Sequence, residues 1–125
     1  MVLRHIIKLM TIVTLKNKIS ISKLNEMAKK IFGNLVKAVI DVEKGIMAID
    51  GELHSDEELL LAENGSKRAD VWGINFYPEF FGTDKFVEFD SMINIRPSQG
   101  NRSRGVDDPK IRAKIVTIVN KMVMR

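Results

Sequence analysis

At 125 residues the chain has room for one domain and too little length for a second core. Its 45% hydrophobic and 29% charged residues exclude disorder along the whole chain, the lack of an uncharged apolar run near the roughly 20 residues of a bilayer span argues against a membrane protein, and zero cysteines exclude a disulfide framework, a thiol nucleophile and a thiolate-held metal. The net charge of +4 hides a division, because residues 1–40 sum to +7, residues 41–90 to −9 and residues 91–125 to +6. A basic face therefore forms only where the two ends converge; otherwise dispersed lysines solvate helix backs.

Residues 1–9 have too short an apolar run and no small-residue cleavage site for a signal peptide, and read as an appendage to a single domain at 10–125. With no export signal, the expected compartment is the cytoplasm. Thr11 to Leu15 is a short β-branched run and predicts a first strand. Ser20 can cap a helix whose apolar face is Ile21, Leu24, Ala28 and Ile31 and which Gly33 ends. Val36, Ala38, Ile40 and Val42 alternate with Lys37, Val39, Asp41 and Glu43; after Lys44-Gly45 the run Ile46 to Ile49 resumes, predicting a β-hairpin.

The segment from Glu52 to Asn64 admits two readings. Ser55-Asp56-Glu57-Glu58 fits a capping box and a two-turn helix, whereas Leu59 to Leu61, the turn residues Asn64-Gly65-Ser66 and the run Val71 to Tyr77 fit a second hairpin. The hairpin is preferred, since it accounts for both flanks. Phe86 to Ile95 alternates and predicts a further strand that Pro97 ends. Asp108 and Pro109 supply an N-cap and a first helical position, followed by the stripe Ile111, Ile115, Ile118, Val119 and Met122. The sum is an α+β fold: an antiparallel β-sheet of about five strands with two amphipathic helices packed on one face.

The most function-like stretch is the loop from Arg96 to Gly105. Arg96, Arg102 and Arg104 present forked donors suited to phosphate or carboxylate, Gln99 and Asn101 add neutral hydrogen bonds, and two glycines let backbone amides approach a ligand. Asp107 and Asp108 would repel an anion at the entrance of the following helix. The competing reading has the arginines pairing with the acidic middle segment and locking the loop in place. A second constellation is Asp50, Glu52, His54, Asp56 and Glu58. On an extended strand these five share one face and Glu52, His54 and Asp56 could hold a divalent metal; a solvated strand face carries the same pattern. His54 could also serve as a general base. Trp72, Phe76 and Tyr77 could stack on bases, but core filling is the better reading of alternating aromatics.

The stretches Val36 to Ala48 (VKAVIDVEKGIMA), Gly51 to Glu58 (GELHSDEE), Val71 to Pro78 (VWGINFYP) and Phe89 to Val106 (FDSMINIRPSQGNRSRGV) resemble a small prokaryotic family known only as a domain of unknown function. The similarity runs from about Met10 to Val123, and family members begin near Met10, which implies that residues 1–9 lie outside the natural domain. It implies no activity, cofactor or catalytic residue. The residues themselves favour a non-enzymatic module in which the arginine loop engages a phosphate-bearing or acidic ligand, nucleic acid included, with no resident cofactor. The rivals are a metal-assisted phosphoesterase or nuclease and a structural homo-oligomer.

Overall fold

The computed structural model describes residues 11–125; the expectation for residues 1–9 lies outside them. Sheet formation starts from five β-rich runs. Strands β1 (Val13–Leu15), β3 (Val36–Asp41), β4 (Ile46–Ile49), β5 (Val71–Phe76) and β6 (Val87–Glu88) form a five-stranded sheet in the order β1-β4-β3-β5-β6, with every neighbouring pair antiparallel. A short parallel pair, β2 (Ile19–Ser20) with β7 (Val123–Met124), ties the first helix to the end of the last.

Helix α1 (Ile21–Ile31) begins where Ser20 Oγ accepts from the Lys23 amide at 3.1 Å. It ends where Gly33, at φ 92°, turns its amide back onto the Ala28 carbonyl. Helix α3 (Pro109–Met122) starts with Asp108 accepting from the Lys110 amide at 2.9 Å and Pro109 at its first position, as the sequence predicts. Both helices pack on one sheet face, where Leu24, Ala28, Ile115 and Val119 meet Ala38, Ile40, Met47, Trp72, Ile74 and Phe76. Trp72 and Phe76 are core residues, as expected.

The opposite face is also covered, and this corrects the hairpin reading of 52–64. Helix α2 (His54–Glu63) lies there, with Leu61 against Val39, Ala48 and Val71. Helical periodicity is invisible in the segment because the inward positions are His54, Asp56, Glu57 and Leu61, three of them polar. Ser55 is not the cap either: Leu53 stands at that position and offers no side-chain acceptor. The predicted strand 86–95 is likewise cut to β6, two residues long. Beyond it Ser91 Oγ accepts from the Ile93 amide, and Asn94 takes over the work of a strand: its side chain accepts from Gly73 N at 2.9 Å and donates to Gly73 O at 3.0 Å. Side-chain bonding to backbone has replaced the ladder. Gly73 is required there, because a Cβ would stand 2.5 Å from Ser91 Cβ. Among the described residues, no helix is long and apolar enough to cross a membrane.

Candidate anion-binding site

The arginine loop is closed by a bridge between Arg96 and Asn101, whose backbone groups exchange hydrogen bonds of 2.7 and 3.1 Å. Arg96 is 4% exposed. Its guanidinium donates to the carbonyls of Ile93 (3.0 Å), Arg68 (2.8 Å) and Val71, and lies 4.4 Å above the Trp72 ring. Burial lowers its pKa from the ordinary value, the nearby Arg68 pushes the same way, and Glu58 opposes both. Asn101 is equally committed, donating to the carbonyls of Asn94 and Gly105 at 2.8 Å each and accepting from the Asp107 amide at 2.7 Å. Gln99 donates to the Ala69 carbonyl at 2.9 Å. Arg96 and Gln99 staple an irregular loop onto β5 and the turn before it, and Asn101 ties the loop to itself. The partners of Arg96 are chiefly carbonyls, where the sequence had suggested carboxylates.

The two remaining arginines face outward. Arg104 Nε donates to Asp90 Oδ1 at 2.6 Å across a half-exposed pair. The Arg102 side chain makes no hydrogen bond or ion pair among the described residues; its backbone amide meets Asp107, which also accepts from Ser103. Those hydrogen bonds, Ser103 first and then the Arg102 amide, lower the Asp107 pKa. The entrance of α3 is occupied by the Asp108 carboxylate, which accepts from the Lys110 amide.

The row from Asp50 to Glu58 does not lie on a strand face. Asp50 turns the chain with φ 72° and pairs with Lys30 at 2.5 Å, helix begins at His54, and Glu58 pairs with Arg68 at 2.8 Å. Among the described residues, no group of three or more His, Asp or Glu side chains is placed to hold a metal ion. Glu52, His54 and Asp56 are not brought together as a ligand set.

One member of the row and one of the loop do meet. His54 and Arg104 line a cavity of about 200 Å³, together with Lys37, Ser55, Asn75 and Asp90. Lys37 and Asn75 are cross-strand partners on β3 and β5. They are the polar positions on the face where Val39 and Val71 are buried, which is the signal the sequence carried for them: a facing polar pair inside strands covered on both sides. The α2 start contributes as well, since its N-cap residue, Leu53, makes no side-chain cap to the first amides.

His54 Nε2 lies 2.8 Å from the Ile74 carbonyl. A carbonyl only accepts, so the proton sits on Nε2 and Nδ1 carries the lone pair. Burial pushes the imidazole pKa below its ordinary 6.5; the Ile74 carbonyl raises it, Lys37 lowers it further, and Asp90 and Asn75 push back. The Asn75 amide nitrogen donates to Glu88 at 2.8 Å and to the Asp90 carbonyl at 3.3 Å. Its oxygen is buried with no donor. Tyr77 also donates to Glu88, at 3.1 Å, and its pKa is raised by burial and then by that carboxylate.

Fold and cavity define a small α+β domain with helices on both faces of one antiparallel sheet and a polar recess where α2 begins above β3 and β5. The family model described as a protein of unknown function, DUF5674, matches residues 12–122, and the chain belongs to that family. No curated protein and no solved structure matches the chain.

Proposed function

We propose that the protein is a non-enzymatic module that binds a small phosphate- or carboxylate-bearing ligand in the cavity between Lys37, His54 and Arg104. The observation that carries this reading is convergence: two cations from distant parts of the sequence and the uncapped start of a ten-residue helix border one recess. Lys37 supplies a point charge, Arg104 a forked donor, and the helix start two aligned amides with a partial positive charge behind them. Asp90 holds Arg104 at the rim and would release part of that pairing to an incoming anion. Of the loop residues, Arg104 belongs to the binding surface, while Arg96, Gln99 and Asn101 hold the scaffold that presents it. A recess of about 200 Å³ suits a phosphate or carboxylate group, whether free or at the end of a larger molecule.

The test is a titration with inorganic phosphate followed by two-dimensional amide NMR. The reading expects perturbations centred on His54 and Ser55 that vanish in Lys37→Ala and Arg104→Ala. Perturbations confined to residues 99–103, or none at all, overturn it.

A further inference from the structure

The cavity offers more than donors. One acceptor among the residues that line it is idle: Asn75 Oδ1, in a residue that is 6% exposed, has no hydrogen-bond donor. A second, Asp90, uses only Oδ1 toward Arg104. A buried amide oxygen without a partner costs free energy comparable to a lost hydrogen bond, and such a group is satisfied when a ligand brings a donor to it. A bare anion leaves it unsatisfied, because phosphate dianion and carboxylate only accept.

We infer that the ligand is a small organic anion carrying its own hydrogen-bond donor, a hydroxyl or ammonium group, close to the charged end. This deepens the anion-binding reading and rests on it. The charged end meets Lys37, Arg104 and the α2 amides, and the donor meets Asn75 Oδ1. Size sets the spacing between the two. The recess is small, about 200 Å³. The donor must therefore sit within two or three bonds of the anionic group, as in a hydroxy acid, an amino acid or a phosphorylated polyol.

The structure also makes the donor the discriminating element. A site built to hydrogen-bond a hydroxyl rejects the analogue that lacks it, because its own buried polar atom is then stranded. Asn75 cannot turn away to solve this alone, since its nitrogen is anchored to Glu88 and the Asp90 carbonyl.

The experiment compares matched pairs on the full chain: lactate against propionate, and glycerol 3-phosphate against propyl phosphate, with inorganic phosphate as the common reference. Binding is read by calorimetry and by the side-chain amide signal of Asn75. The hydroxylated member of at least one pair should bind roughly tenfold more tightly, the value of one good hydrogen bond. It should also move the Asn75 signal where its partner does not. In Asn75→Leu the preference should disappear while phosphate still binds. The Asn75 signal in the unmodified protein decides the matter if that variant does not fold. Phosphate binding with equal affinities within both pairs overturns this inference and spares the anion site. A preference that survives unchanged in Asn75→Leu with the Asn75 signal unmoved overturns it too. Failure of phosphate and of all four organic anions to bind overturns both.

Discussion

Arg96 and Arg104 lie eight positions apart in one loop, and the fold treats them in opposite ways. Arg96 is buried under three backbone carbonyls and a tryptophan ring, whereas Arg104 sits half exposed beside one carboxylate at the mouth of a cavity. The difference is made by β5. Its edge beyond the two-residue β6 has no strand to pair with, so Arg96 and Asn94 supply the missing hydrogen bonds to Val71 and Gly73. Where β6 does pair, at Asn75 and Phe76, no arginine is needed and the neighbouring side chains are free to form a recess. A guanidinium cluster in sequence is thus no measure of an anion site; what counts is how many orphaned carbonyls lie within reach of each member.

The contrast breaks most visibly at its structural end. Arg96→Ala strands three carbonyls and removes the ring contact, and should cost about 3–5 kcal/mol in urea unfolding, enough to threaten folding of so small a domain. A cost below about 1 kcal/mol would show that the loop is held by other means. Gly73→Ala forces a methyl group into Ser91 and should cost about 1–3 kcal/mol by the same measurement.

At the other end, Arg104→Ala breaks only a half-exposed pair, so its stability change should stay under about 1 kcal/mol while phosphate affinity falls at least tenfold. Arg102→Ala should leave stability within about 0.5 kcal/mol and phosphate affinity unchanged, since Arg102 does not border the cavity.

Acid–base titration sharpens the comparison from the α2 side, where two buried groups pull in opposite directions. His54 has a folded pKa lowered from 6.5, so the unfolded chain takes up the proton first; the stability from neutral His54 is complete above pH 6.5 and is lost as the pH falls through the folded value. Glu57 is fully buried, and burial raises its pKa well above 4.5, outweighing the Gly51 amide that donates to it at 3.1 Å. Its contribution is complete below pH 4.5 and is lost as the pH rises through the raised value. Thermal melts of Glu57→Gln should therefore gain on the unmodified protein as pH rises. A gap that shrinks with pH would show that Glu57 enters the fold as a carboxylate.

Much of the architecture was legible. Ser20 and Asp108 have local capping chemistry, and the alternation through Val36 to Val42 and Ile46 to Ile49 follows directly from sheet geometry. The helix α2 was hidden because it turns His54, Asp56 and Glu57 inward, so that the residues that blurred its amphipathic pattern include one that forms the site. The strand expected at 86–95 failed for a related reason: Ser91 and Asn94 bond to backbone locally and at long range, which no period-two pattern reveals. His54 and Arg104 were both visible as candidates, but in separate constellations. Only the register of Lys37 with Asn75 and the path of α2 across the sheet show that they share one recess.

The most direct measurement is the phosphate titration carried out side by side on Lys37→Ala, Arg104→Ala and Arg102→Ala. The first two should lose the perturbations at His54 and Ser55 while Arg102→Ala keeps them at the same midpoint. Loss of binding in Arg102→Ala alone would contradict it and return the site to the outer tip of the loop.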